Sequence, residues 1–393
     1  MKSNLTRLDI ATWFGFMIFA ASGVITPMCL PEISKTLSTD LSEGGGMESA
    51  RAFMIFIVVI LAGVCAHTWG KRLFITSGQY LLAAGLLMIS YSQSYPMLII
   101  SLMFTGIGGG FTEALINPLV VDIHPENSGK YLNLSNAFYS VGVLVSALLF
   151  GELLTLGCSW RVVFRVAAAG ALAVGVFFSR SRFPTPMKNG DYALNRMADT
   201  LLLPGFRLFA AAIFLGAGVE SAFTFWSRSY VAIYIDDVPR AGAIAVMIFA
   251  GMMAAGRLLS AALSKTISQK MIMMCSALIG LVVSSIIPFT ASLIWFYALL
   301  AIAGLATACF WPTILAEAAL CLKTDSTILF VLLACFGIAG FGVTPWIMGV
   351  IGDKAGLIAG FSMIPGFFLC LIIVLTFEWR LSRTCLKRPG QAG

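Results

Sequence analysis

Residues Ile107–Tyr139 read I-G-G-G-F-T-E-A-L-I-N-P-L-V-V-D-I-H-P-E-N-S-G-K-Y-L-N-L-S-N-A-F-Y. The first part is apolar and long enough to lie in lipid, yet it carries Glu113 and Asn117. A carboxylate near a bilayer centre costs about 2.5–3.5 kcal/mol on insertion scales, so it is rare there and usually faces a cavity. If the helix ends near Asp122, a rise of about 1.5 Å per residue sets Glu113 about 13 Å and Asn117 about 8 Å inside. An antiparallel helix starting near Tyr131 then brings Asn136 about 8 Å and Tyr139 about 12 Å deep. Two polar layers are expected, Glu113 with Tyr139 and Asn117 with Asn136. Asn133, Asn136 and Tyr139 recur at i, i+3 and i+6, near one helix face. Such layers suit a hydroxylated solute, because amides and carboxylates exchange hydrogen bonds with hydroxyls. For each Asn, a bond between helices with no solute involved stays open.

Outward from this stretch, composition bounds the class. The chain of 393 residues is 59% hydrophobic and 11% charged, with a mean hydropathy of +0.94. Globular domains run to about 25% charged residues, so this is a polytopic membrane protein, all-α in class. The net charge of +7 comes from short loops between apolar runs and carries no aromatic-interleaved nucleic-acid patch. The nine cysteines are scattered and only two histidines occur, which argues against a metal centre. Leu8–Leu30 exceeds a signal-peptide core of about 7–15 residues and is taken as a retained first helix.

The apolar runs predict twelve spans, at about 8–30, 49–69, 72–92, 96–122, 131–157, 161–179, 205–235, 239–263, 270–290, 292–322, 325–351 and 355–378. The polar interruption 180–204 divides them into an N-terminal bundle (1–179) and a C-terminal bundle (205–393), joined by a cytoplasmic linker. A shift of roughly 195–200 residues brings Lys71–Arg72 onto Lys265–Lys270 and Pro118 onto Pro312, in keeping with parallel repeats. With both termini in the cytoplasm, seventeen of the 25 Lys and Arg fall on the cytoplasmic side and five outside, namely Lys35, Arg51, Arg161, Arg240 and Lys354. The remaining three, Arg165, Arg228 and Arg257, lie within spans. The segment Pro31–Ala50, with Gly44-Gly45-Gly46, reads as a flexible, solvated loop without chemistry.

Glu220, in L-G-A-G-V-E-S-A-F-T-F-W-S-R-S-Y, is the second intramembrane acid. A cavity role and a bond between helices are both open to it. Arg228 lies eight residues on, about 12 Å away, and is expected to snorkel outward. Trp226 and Trp311 either stack on a sugar ring or fill space, and Gln79 is a further candidate. At Gly63-V-C-A-H-T-W-Gly70-Lys71-Arg72, small residues permit close helix packing and the basic pair holds topology. Asp122 is a partner for Lys71 or Arg72. Gly108-Gly109-Gly110 lacks the Lys-Ser/Thr of a phosphate loop and reads as a packing or bending device. Glu317 reads as an interfacial structural acid.

Together these features resemble the major facilitator superfamily over nearly the whole chain. The Gly63–Arg72 turn is similar to the superfamily's Gly-xxx-Asp-Arg-xx-Gly-Arg motif, with His67 in place of the acid and Thr68 in place of the arginine. E-A-L-I-N-P…P-E-N-S-G-K-Y-L-N-L resembles the fucose permease branch of sugar–proton symporters. That resemblance implies that Glu113 is the cavity glutamate and that Tyr139 stands where the branch has a sugar-contacting Asn. Where the proton-coupled member has a first-helix aspartate, this chain offers Thr26, Pro27 and, further on, Glu32.

The expectation is a secondary transporter of a sugar-like solute in a bacterial inner membrane, monomeric, without cofactor or enzymatic step. Its solute site would comprise Glu113, Asn117, Asn136, Tyr139, Gln79, Glu220, Trp226 and Trp311. Glu113 and Glu220 would carry a coupled proton, and Glu113→Gln would abolish gradient-driven accumulation. Gly63, Gly70, Lys71, Arg72 and Asp122 would form a cytoplasmic gate. An exporter of amphipathic drugs or organic ions, or a non-transporting membrane receptor, are the alternatives.

Overall fold

The computed structural model describes residues 6–184, 194–322, 324 and 326–386, and within its helices the side chains of 63–68, 127–130, 133, 194–196, 326, 327, 379 and 381–386 fall outside the description. The described residues form helices joined by short connections, without strands. The helices are α1 (Arg7–Leu37), α2 (Leu41–Trp69), α3 (Lys71–Tyr91), α4 (Tyr95–Ile123), α5 (Ser128–Thr155), α6 (Trp160–Ser179), α7 (Leu194–Leu201), α8 (Phe206–Tyr234), α9 (Pro239–Leu263), α10 (Gln269–Ile286), α11 (Leu293–Thr307), α12 (Phe310–Leu322), α13 (Ser326–Ala355), α14 (Leu357–Ser362) and α15 (Ile364–Leu386). They supply twelve stretches long and apolar enough to cross a membrane, six before α7 and six after it. The tenth, Leu293–Leu322, breaks at residues 308–309, and Pro312, four residues after Ala308, has no N–H to donate to the Ala308 carbonyl.

Each glycine of the 108–110 run serves a different neighbour of α4. A Cβ on Gly108 would overlap the Gly78 carbonyl of α3. One on Gly109 would meet Phe19 of α1, and one on Gly110 would meet Val58 of α2. The run is therefore a three-sided packing surface, one of the two readings the sequence left open.

The supposed loop Pro31–Ala50 is a correction. Only Ser38–Asp40 separate α1 from α2, with Ser38 in a left-handed conformation (φ 53°) closing α1. The three glycines are helical, packed closely on their neighbours: Gly44 on Leu30 of α1 and Trp226 of α8, Gly45 and Gly46 on α13. A Cβ on Gly45 would overlap the Pro345 carbonyl, and one on Gly46 would come within 2.9 Å of the Tyr95 hydroxyl. Gly costs about 1 kcal/mol per helix position relative to Ala, a preference this tertiary contact overrides. The first N–H groups of α2 also find their acceptor across the fold: Leu41 and Ser42 donate to the Asp353 carboxylate at 2.8 and 3.0 Å.

Helix α13 carries Pro345 in its interior, so the Phe341 carbonyl loses its helical donor. The Ser221 hydroxyl of α8 donates to that oxygen at 2.6 Å. Next to it, Ser49 of α2 donates to the Gly342 carbonyl at 2.7 Å, and the Trp226 indole to the Pro345 carbonyl at 3.0 Å. The kink-prone turn is thus held by side chains from helices on both sides of α7.

Candidate functional site

A cavity with about 730 Å³ of non-atom space, partly continuous with the outside, lies between α1, α2 and α5 on one side and α8, α9 and α13 on the other. Its charged walls are Glu48 and Arg51 from α2, Glu220 from α8 and Arg257 from α9. Tyr139 and Ser140 from α5 and Thr224 from α8 add hydroxyls; Val24, Phe225, Met253 and Phe341 are among the apolar walls. A few polar groups within an apolar lining is the usual make-up of a small-molecule site.

Glu48 and Arg51 are one turn apart and form a two-point ion pair. Arg51 Nε donates to Glu48 Oε2 at 3.1 Å and Nη2 to Oε1 at 2.7 Å. Both side chains are more than nine-tenths buried, and Arg51 Nη1 has no partner. Sequence reasoning missed this pair by reading residues 31–50 as loop and Arg51 as an outer topogenic charge. The signal was there: E-S-A-R places opposite charges at i and i+3, immediately before an unbroken apolar run.

Of the residues singled out from sequence, Tyr139 and Glu220 line the cavity. Glu113 does not, although it, Glu220, Arg51 and Arg257 all act electrostatically on Tyr139. Tyr139 also rests on Phe16 and Phe19, with ring centroids 6.4 and 6.0 Å away. Of the expected Glu113–Tyr139 layer, the tyrosine is the member that reaches the cavity.

The other assignments change. Gln79 is fully buried and donates to Thr112 at 2.9 Å, joining α3 to α4 away from the cavity. Asn136 is exposed and bonds back to the Leu132 carbonyl of its own helix at 2.8 Å, rather than to Asn117. Asn117 lies outside the cavity wall, and its Oδ1 is buried without a partner. Trp226 is fully buried, its ring against Gly44 and its indole bonded to α13, so it fills space. Trp311 packs on Gly337 instead of facing the cavity.

Arg228 does not snorkel. Its side chain is 0% exposed and donates from Nη2 to Glu32 Oε1 at 2.7 Å, joining α8 to α1. Around it, Lys35–Asp237 (3.0 Å) joins the α1 end to the loop after α8, and Arg240–Glu152 (2.6 Å) joins α9 to α5. Every one of these links crosses from helices before α7 to helices after it. They close one end of the molecule, called here the Glu32 end.

At the opposite end, Lys71 pairs with Asp122 at 2.7 Å and donates to the Pro118 carbonyl at 3.1 Å. Arg72 donates instead to the Ser179 carbonyl at 2.8 Å. Gly70 occupies φ 79°, a conformation other residues rarely adopt, and lets α3 start directly after α2. Gly63, His67 and Thr68 fall where side chains are outside the description. Glu317, Cys321 and Glu378 converge as metal ligands would. Lys270 sits among them, 3.2 Å from each carboxylate, so an ammonium already supplies the counter-charge.

The comparisons agree with this architecture. The Major Facilitator Superfamily family model matches residues 12–316. The L-fucose-proton symporter of Escherichia coli (strain K12) is 24% identical over 413 residues, covering 94% of this chain and 92% of that protein. The multidrug resistance protein MdtH of Aeromonas salmonicida is 31% identical over 159 residues, 37% of this chain and 40% of its own. A bacterial homologue of the human lysosomal transporter Spinster superposes with a TM-score of 0.81 at 16% identity, over 98% of each chain. With twelve apolar helices and a match reaching across α7, the protein belongs to the Major Facilitator Superfamily, a family of integral membrane transporters.

Proposed function

We propose that the protein is a secondary transporter of a small hydroxylated solute, working by alternating exposure of one central cavity. The observation that carries this reading is the cavity itself. Its four charged side chains come in pairs, Glu48 and Arg51 from before α7, Glu220 and Arg257 from after it. A site built from two sets of helices changes when the sets rock against each other. The two bundles, 1–179 and 205–393, are the proposed moving bodies. Glu220 is the proposed proton carrier because it reaches the cavity wall, with Glu113 second. Lys71–Asp122 at the other end is the proposed gate. The relative described as an L-fucose-proton symporter supports a sugar-like solute and proton coupling. The proposed setting is a bacterial inner membrane, with a monomer whose termini and Lys71 end are cytoplasmic. No cofactor or enzymatic step enters.

The test is uptake into proteoliposomes under a pH gradient, with a panel of monosaccharides and their derivatives. Gradient-driven accumulation of a polar solute is expected. Glu220→Gln should remove accumulation while exchange of labelled solute persists, and Glu113→Gln should retain more of it. Full accumulation in Glu220→Gln would remove that residue from coupling. The second reading, export of amphipathic cations, draws on the MdtH match and on Glu220 among apolar walls. The MdtH match covers only 37% of this chain, against 94% for the L-fucose-proton symporter, which is why the polar-solute reading comes first. Flux of lipophilic cations and of no polar solute would reverse the preference; absence of any flux would favour a receptor.

A further inference from the structure

Two arginines of the cavity wall each keep a buried donor without an acceptor. Glu48 occupies two nitrogens of Arg51 and leaves Nη1 of that buried guanidinium unpartnered. Arg257, entering from α9, has a buried Nε without a partner. It stands in electrostatic range of Glu220 but makes no ion pair among the described residues. A buried charged donor left without an acceptor is costly, and a carboxylate offers two oxygens that match a guanidinium edge.

The charge balance points the same way. Glu48, Arg51, Glu220 and Arg257 sum to zero. The first and thirteenth helices contribute no charged side chain to the wall, and the fifth contributes Tyr139, Ser140 and Val143. Glu113 of α4 is the further acid that acts on Tyr139. Counting the four wall side chains alone, an anionic solute would leave the cavity wall one charge negative. One proton on Glu220 restores neutrality and frees Arg257 from its acidic neighbour.

We infer that the solute is a hydroxylated carboxylic acid of monosaccharide size. Arg257 holds its carboxylate, Arg51 Nη1 is the second donor, and one proton on Glu220 accompanies it. This rests on the transporter reading and names its substrate class.

The test uses the purified full-length protein in nanodiscs. Thermal stabilisation and competition binding compare gluconate, galactonate, glucuronate and galacturonate with glucitol, galactitol, glucose and galactose. At least one acid should bind about tenfold or more tighter than its neutral counterpart, and Arg257→Gln should reduce that ratio about tenfold. Arg257→Lys, which keeps the charge, should retain part of the preference. Because proton and anion bind together, wild-type affinity for the acid should fall as pH rises, and Glu220→Gln should flatten that dependence. The inference is overturned if the neutral members bind as well as the acids, if no acid binds, or if the preference survives Arg257→Gln. Gradient-driven uptake of a neutral sugar would then leave the transporter reading standing, whereas a protein that moves no polar solute loses both.

Discussion

Replacing Glu32 with alanine should open the Glu32 end and raise the labelling rate of Cys29 by a membrane-impermeant maleimide about tenfold or more. Cys29 is fully buried one turn before Glu32, within the field of the Glu32–Arg228 pair. A background in which the other eight cysteines are replaced makes it the reporter. Removing one partner of a buried ion pair costs about 3–5 kcal/mol, because the remaining charge is stranded. Arg228 is the member at 0% exposure, so loss of Glu32 strands the deeper charge. The cost falls on the closed state, since separated helices let the guanidinium hydrate. At about 1.4 kcal/mol per decade, even 3 kcal/mol shifts the closed–open balance more than a hundredfold. The other links across that end take up part of the shift, hence the smaller expected change in labelling.

The pair is also incompletely bonded. Arg228 Nε and Nη1 and Glu32 Oε2 are buried without partners. A buried pair in that state stabilises closure weakly, which suits a contact that must break in every cycle. Glu32→Ala/Arg228→Met should therefore return labelling close to wild type, as no stranded charge remains. Equal labelling of wild type and Glu32→Ala would show that the pair does not hold this end.

Gly45→Val is the second large effect. The neighbours of Gly45 are backbone atoms of Pro345 and Trp346, which cannot rotate away as a side chain can. Gly349 faces the Leu41 carbonyl and Gly342 faces Ala52 in the same seam, so α2 and α13 touch along several turns. Overpacking typically costs about 1–3 kcal/mol, and a backbone obstacle puts this case at the upper end or beyond. The variant should fold, remain open at the Glu32 end and lose solute accumulation together with fast labelling of Cys29. Gly366→Ala is the control: nothing lies within 4 Å of its added methyl, and labelling should not change. Slow, wild-type labelling in Gly45→Val would mean that the seam tolerates the side chain.

The hydrophobic runs made the fold legible, because lipid forces each span to satisfy its own backbone bonds and so to be a long apolar helix. All twelve spans fall near their expected places. The second is the exception at its start, where Gly44–Gly46 mimic a linker but pack closely on α1, α4, α8 and α13. The site was half legible. Tyr139 and Glu220 reach the cavity, and both stood out as polar groups deep in apolar runs. Glu48 and Arg51 were hidden by the same misread linker. Gln79 and Trp226 carried the marks of functional residues and Arg228 those of a snorkelling charge, yet each is bonded within the fold.

By itself the amino-acid order determined the number of spans and the presence of acids within apolar helices. Those depend on composition along the chain and on the cost of polar groups in lipid. Which way each helix turns its polar face, and which opposite charge meets it, was decided by tertiary packing alone. Glu32 and Arg228 are 196 residues apart, and no local periodicity encodes their meeting. It follows from the close approach of α1, α2 and α5 to α8, α9 and α13, which small residues allow and buried ion pairs then fix in register.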